Sequence, residues 1–164
     1  MKEVKEVTYI KREKAKLDKF VECLNKQDAE NSKSYKTKLI YKNYKDGVIF
    51  GTDTTLTYLK DNFVYSARRN ACDIIESFFD NTYRSIYDYM EAAIIKGSTN
   101  HHKKVLKLVN GDKAVFINET LVGDIPKGAK FYILKEKNPV IVLYNNEIIK
   151  VVFPILGADG FVEV

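Results

Sequence analysis

The sequence predicts an α+β fold of largely antiparallel sheets, with a β-α-β-β-β unit at each end of the chain and a helical middle inserted between them. Three observations carry this expectation. The same order of elements can be read twice, once near each terminus. The first helical run has one apolar stripe, formed by Leu17, Phe20, Val21 and Leu24 at i, i+3, i+4 and i+7. Several strand-like runs are separated by tight turn signals such as Lys45-Asp46-Gly47 and Asn145-Asn146. A β-α-β-β-β unit cannot bury its apolar face alone, so two of them imply one shared sheet or sandwich in a single domain.

The first unit spans 1–60. It opens with a short strand at Glu6 to Ile10, continues through the helical run Leu17 to Leu24, and closes with three strands between Tyr35 and Leu59. In the first of these strands Tyr35, Leu39 and Tyr41 fall on one face and most lysines on the other, which reads as a half-buried strand with a lysine-protected outer face. Gly47 and Asp46 suit the hairpin turn, Thr52-Asp53 breaks the next run, and Thr54 to Leu59 is rich in β-branched residues.

The middle, 62–112, reads as a short strand at Asn62 to Arg68 and then two helices. One buries Ile74, Ile75, Phe78 and Phe79. The other, capped by Asn81 or Thr82 and ended by Gly97, buries Ile86, Met90, Ala93 and Ile94. Ser98 to Lys104 is a polar loop, Lys103 to Val109 a strand and Asn110-Gly111-Asp112 a turn. The second unit, 113–156, has a strand at Ala114 to Ile117, a helical turn at Glu119 to Gly123 and a strand at Lys130 to Leu134. It closes with the hairpin Val140 to Tyr144 and Glu147 to Phe153. Both hairpin strands are nearly all apolar, which places them at the centre of the fold. Residues 157–164 form a tail.

The chain has 164 residues and 45% hydrophobic content, enough for a sizeable core. It carries 27 Lys and Arg against 22 Asp and Glu, a net charge of +5. That mild excess fits a nucleic-acid partner without establishing one. Cys23 and Cys72 lie on separate helical runs with no C-x-x-C spacing, so both read as small buried or half-exposed thiols. The charged start Met1-Lys-Glu-Val-Lys-Glu has no apolar signal region, and no apolar run reaches membrane-spanning length, so a cytoplasmic protein with no membrane partner is expected.

Catalytic chemistry finds no support in the motifs. His101 and His102 are adjacent, point to opposite faces of a strand and lack a nearby third ligand. Asp53 reads as a turn former, and no P-loop, G-x-G-x-x-G or H-E-x-x-H is present. The expectation is a protein without cofactor, metal or enzymatic activity. A cationic surface is the alternative lead. Helical geometry gathers Arg12, Lys16, Lys19 and Lys26 on the side of the first helix away from its apolar stripe, diluted by Glu13, Asp18 and Glu22. Tyr35, Tyr41 and Tyr44 interleave with Lys36, Lys38, Lys42 and Lys45, an arrangement that single-strand binders use, though the half-buried strand is the simpler reading.

These segments resemble one domain of the bacterial DNA polymerase sliding clamp. The N-terminal match is Val7-Thr-Tyr-Ile-Lys-Arg, the helix Lys14 to Leu24, Lys38-Leu-Ile-Tyr and Asp46-Gly-Val-Ile-Phe-Gly-Thr-Asp-Thr-Thr-Leu. The C-terminal match is Val115-Phe-Ile-Asn with Leu121, then Asn138-Pro-Val-Ile-Val and Ile149-Lys-Val-Val-Phe-Pro-Ile. Together they cover about half the chain, and the middle helices look like an insertion. A clamp chain carries two or three such domains, and its terminal arginine is absent here, so the family's peptide pocket is not carried over to Pro154 and Ile155.

The resemblance implies a non-catalytic protein of DNA transactions, with the helix face aimed at duplex phosphates. Arg12, Lys16, Lys19 and Lys26 are then the first candidates for backbone contact, and Arg68, Arg69, Lys103 and Lys104 the second. One domain cannot encircle DNA, so a ring requires self-association, and docking onto a DNA-processing complex is the other arrangement. The rival reading is an inhibitor from a phage or mobile element, similar in kind to an anti-CRISPR protein, that binds a host protein such as a defence nuclease.

Overall fold

The computed structural model describes residues 1–30, 39–60, 73–100 and 104–164, with side chains for all of these except 27–30 and 73–74. The expected strand at Asn62 to Arg68, the pair His101-His102, and Tyr35, Lys36, Lys38 and Cys72 lie outside the described residues. The architecture is α+β, and among the described residues every strand pair is antiparallel except one.

The chain opens with β1 (Lys2–Val4) and passes directly into α1 (Glu6–Glu30). The strand expected at Glu6 to Ile10 is therefore the start of the helix. Its β-branched residues favour a strand locally, but Tyr9, Glu13 and Leu17 extend the buried stripe backwards at four-residue spacing, and tertiary burial decides. Val7 is left 78% exposed. Next come β2 (Leu39–Tyr44), β3 (Gly47–Thr52) and β4 (Thr55–Lys60), joined by tight turns as expected. Asp53 sits in the exposed bend between β3 and β4, where Thr54 N donates to Thr52 Oγ1 at 3.2 Å.

The middle departs from expectation. Among the described residues a single helix, α2 (Asp73–Arg84), is followed by a 3-10 turn at Ile86–Asp88 and then by β5 (Met90–Glu91) and β6 (Ala93–Ser98). Asn81 and Thr82 are inside α2, where the Thr82 hydroxyl donates to the Phe78 carbonyl at 2.7 Å. The apolar spacing of Ile86, Met90, Ala93 and Ile94 mimics a helical stripe, but Ala93 to Gly97 pair residue by residue with β7 (Val105–Asn110). Gly97 does not end a helix. A Cβ there would lie 2.4 Å from the Phe161 ring, so the missing side chain admits that aromatic.

The remaining elements are β8 (Lys113–Asn118), α3 (Glu119–Val122), β9 (Asp124–Pro126), β10 (Lys130–Ile133), β11 (Val140–Tyr144), β12 (Glu147–Val152) and β13 (Val162–Glu163). Short β9 and β13 carry no periodic signal. β9 pairs in parallel with β1, and β13 pairs with β6, so the segment expected to be a tail is partly stitched into a sheet. Asn145 and Asn146 take φ of 51° and 62°, the left-handed pair that a two-residue hairpin turn requires.

The central sheet has seven strands in the order β2-β3-β4-β12-β11-β10-β5. Strands of the first and second units meet where β4 pairs with β12, and the apolar β11–β12 hairpin lies inside the sheet as expected. One face packs against α2 through Tyr44, Ile49, Leu56, Tyr58, Phe79, Ile141 and Val151. The other face is shared. α1 covers Tyr41, Val48, Phe50 and Leu59 with Leu17, Val21 and Leu24. The four-stranded sheet β13-β6-β7-β8 covers Phe131, Val140 and Val142 with Leu106, Leu108, Val115 and Ile117. β2 thus has no lysine-protected outer face, because Tyr41 is buried on one side and Tyr44 on the other.

A bulge at Ile149 shapes the site. Val142 pairs with Lys150, but Leu143 pairs with Ile148, which leaves Ile149 as the extra residue. The β4–β12 ladder stops there too, since pairing ends at Thr57 with Lys150 and does not continue to Tyr58, Leu59 and Lys60. The two strands part beyond that point. On the α2 face the Tyr83 hydroxyl accepts from Ile148 N at 2.9 Å and fills the split. On the α1 face the split remains open.

Candidate functional site: the basic helix face and the adjoining cavity

The helix places Arg12, Lys16, Lys19 and Lys26 along one exposed stripe, as the spacing requires, with the free thiol of Cys23 in the same row. Cys23 is exposed, which rules out the buried alternative of the expectation. From Arg12 to Lys26 the stripe is about 21 Å long at 1.5 Å per residue. It runs along the flank of α1 beside β9 and is not opposite the sheet. Arg12 is ion-paired with Asp124 of β9, and the Lys16 ammonium lies 2.9 Å from where a Cβ on Gly123 would stand. Gly123, at φ 67°, ends α3.

The four cations differ in their surroundings. Arg12 is held by Asp124, and Lys16 Nζ is 3.1 Å from Glu13 Oε1. Lys19 and Lys26 are exposed and form no ion pair among the described residues. Lys104 is exposed and precedes β7; its carbonyl accepts from Glu119 N at 3.2 Å, so Lys104 stands at the start of α3 and Lys16 at its end. Arg68, Arg69 and Lys103 lie outside the described residues.

Beneath the stripe is a feature that the sequence reading missed. Glu13 is 1% exposed and is not on the surface diluting the basic face. Its Oε1 is 3.4 Å from Lys150 Nζ, which also donates to Thr57 Oγ1 at 3.0 Å. Lys150 is 3% exposed in the middle of β12. Burial holds its ammonium below the usual lysine value of 10.5, and Glu13 opposes that shift. The Tyr9 ring covers the pair, with the Lys150 ammonium 5.9 Å from the ring centre. Burial, with the Glu13 carboxylate second, raises the Tyr9 phenol well above its usual 10.0. Two signals were present: Glu13 interrupts an otherwise apolar stripe, and Lys150 stands alone among Ile149, Val151 and Val152. A charge of each sign on two buried surfaces is the pattern of an internal ion pair.

On the other side of Tyr9 the split between β4 and β12 opens into a cavity of about 320 Å³. Glu6, Tyr9 and Ile10 of α1 line one side, with Lys60, Tyr144 and Glu147 on the strands opposite. The Tyr144 hydroxyl donates to Glu6 Oε2 at 3.1 Å, and Lys60 Nζ is 2.6 Å from Glu147 Oε1. The Tyr9 hydroxyl is shut off from water and has no hydrogen-bond partner among the described residues. No group of three or more His, Cys, Asp or Glu among the described residues is placed to hold a metal ion, and no described helix is long and apolar enough to cross a membrane.

Comparison with protein-family models, curated proteins and solved structures finds none that matches this chain.

Proposed function

We propose that this is a non-catalytic, cytoplasmic binding protein of DNA transactions, clamp-domain-like in organisation, that contacts the nucleic-acid backbone along α1. The observation that carries the reading is the exposed stripe of Arg12, Lys16, Lys19 and Lys26 on one continuous helix. Its length of about 21 Å matches several phosphates on a duplex, and lysines there bind without reading bases. A further support is the central sheet, where β2-β3-β4 and β12-β11-β10 form two three-stranded halves joined at β4 and β12. The test is a salt titration of duplex binding. Lys19→Glu with Lys26→Glu is the informative variant, because neither lysine forms an ion pair among the described residues. Each lost phosphate contact lowers the log–log salt slope by about 0.9. A slope unchanged in that variant refutes the reading.

One observation favours the rival, an inhibitor that captures a protein such as a defence nuclease. Arg12 and Lys16 are already held by Asp124 and Glu13, and the same helix exposes Val7 at 78% and Ile10 at 42%. A protein partner would cover those apolar side chains. Val7→Ser with Ile10→Ser, which adds no charge, weakens capture strongly under the rival reading and leaves DNA affinity nearly unchanged under the first.

A further inference from the structure

We propose that the cavity between β4, β12 and α1 binds an organic cation of the guanidinium or alkylammonium type. The site is separate from the basic stripe, and its chemistry is the opposite. The chain has a net charge of +5, yet this cavity carries two carboxylates, Glu6 and Glu147, against one ammonium, Lys60. Its origin is the bulge at Ile149, which ends the β4–β12 ladder and leaves the backbone of Tyr58, Leu59 and Lys60 without a β12 partner. Tyr9 forms part of the wall, is 4% exposed and has a hydroxyl with no partner among the described residues. That hydroxyl is shut off from water, so the polar contacts to a ligand fall to Glu6, Glu147 and the Tyr144 hydroxyl.

The cavity already handles one cation of its own. At its rim the Lys60 ammonium sits 2.6 Å from Glu147 Oε1 and 3.9 Å from Asp46 Oδ2. The Tyr144 hydroxyl donates to Glu6 and ties that carboxylate of α1 to the end of β11. A lining that includes Tyr9, Tyr144 and Ile10 suits the flat, weakly hydrated face of a guanidinium. The same chemistry reaches the protein either as a free small molecule or as an arginine side chain of a partner.

The experiment uses the full chain and follows amide and side-chain NMR signals while arginine amide is added, with a short glycine peptide carrying one central arginine as the second probe. The expected result is saturable shifts at Tyr9, Tyr144 and Asn145. Glu147→Gln weakens binding roughly tenfold, the loss of one charge-assisted hydrogen bond. Lys60→Met frees Glu147 and strengthens binding, whereas an anion site would be weakened by the same change. Tighter binding of the peptide than of the amide identifies a partner chain as the source, and equal binding identifies a free cation. Lys19→Glu with Lys26→Glu leaves the cation affinity unchanged, so failure of the DNA reading and failure of this one are distinguishable. No saturable shift with either probe, or a Lys60→Met variant that binds less well, overturns the proposal.

Discussion

Replacing Glu13 by Gln removes the carboxylate that faces Lys150 and leaves an ammonium buried at 3% exposure with Thr57 as its main remaining acceptor. Breaking a buried pair by removing one partner costs about 3–5 kcal/mol, because the other charge stays desolvated. For a chain of this length each kcal/mol moves Tm by about 2–4 °C. The Glu13→Gln variant is therefore expected to melt about 6–20 °C lower at neutral pH. The double variant Glu13→Gln with Lys150→Met removes both charges and recovers most of the loss, since a packed apolar side chain replaces the pair at little cost. The pH dependence has a definite sign. The folded-state lysine value lies below the usual 10.5, so between the two values the unfolded chain binds more protons than the folded one. Stability in Glu13→Gln then rises as pH climbs through that window, once the buried ammonium can shed its proton. The assay is urea unfolding followed by circular dichroism at several pH values. A loss under about 1 kcal/mol, or a double variant no more stable than the single one, refutes the argument.

Phe79 is fully buried between α2 and the central sheet, and Phe79→Ala is expected to cost about 3–5 kcal/mol by urea unfolding. The Tyr58 hydroxyl donates to Asp46 at 2.6 Å, and that bond is the main cause of the lowered Asp46 value. Tyr58→Phe should bring Asp46 back up towards 3.8 in a carboxyl NMR titration, so the stability that Asp46 adds above its unfolded value shrinks, with its backbone bond and the Lys60 and Lys45 charges keeping the remainder. Asn145→Val places a β-branched residue at φ 51° in the hairpin turn and should cost about 1–2 kcal/mol, whereas Asn146→Gly should be neutral or stabilising.

The strands of the central sheet were legible because their signal is local. Lys45-Asp46-Gly47 and Asn145-Asn146 each demand a turn, and the runs beside them are β-branched or apolar. The segment from Ile86 to Gly97 was misread because Ile86, Met90, Ala93 and Ile94 fall at helical spacing, yet Ala93 and Ile94 are exposed in β6, and the strand is set by pairing with β7, which no local pattern shows. The start of α1 was misread for the converse reason: Val7, Thr8 and Ile10 favour a strand, while burial of Tyr9 and Glu13 favours the helix. The stripe from Arg12 to Lys26 followed from helical periodicity. Its neutralisation by Asp124 did not, since β9 lies more than a hundred positions away in sequence and nothing local links the two. The cavity was invisible because it comes from a single-residue bulge at Ile149, and a bulge inside an apolar run leaves no mark on the pattern.

Cys23 offers the most direct test of the proposed DNA-binding face, because its exposed thiol stands in the row between Lys19 and Lys26. In a Cys72→Ser background, maleimide labelling of Cys23 can be timed with and without duplex DNA at low salt. Backbone contact along α1 predicts that DNA slows the labelling strongly and that added salt restores the rate. Labelling that proceeds at the same rate with saturating DNA present contradicts it.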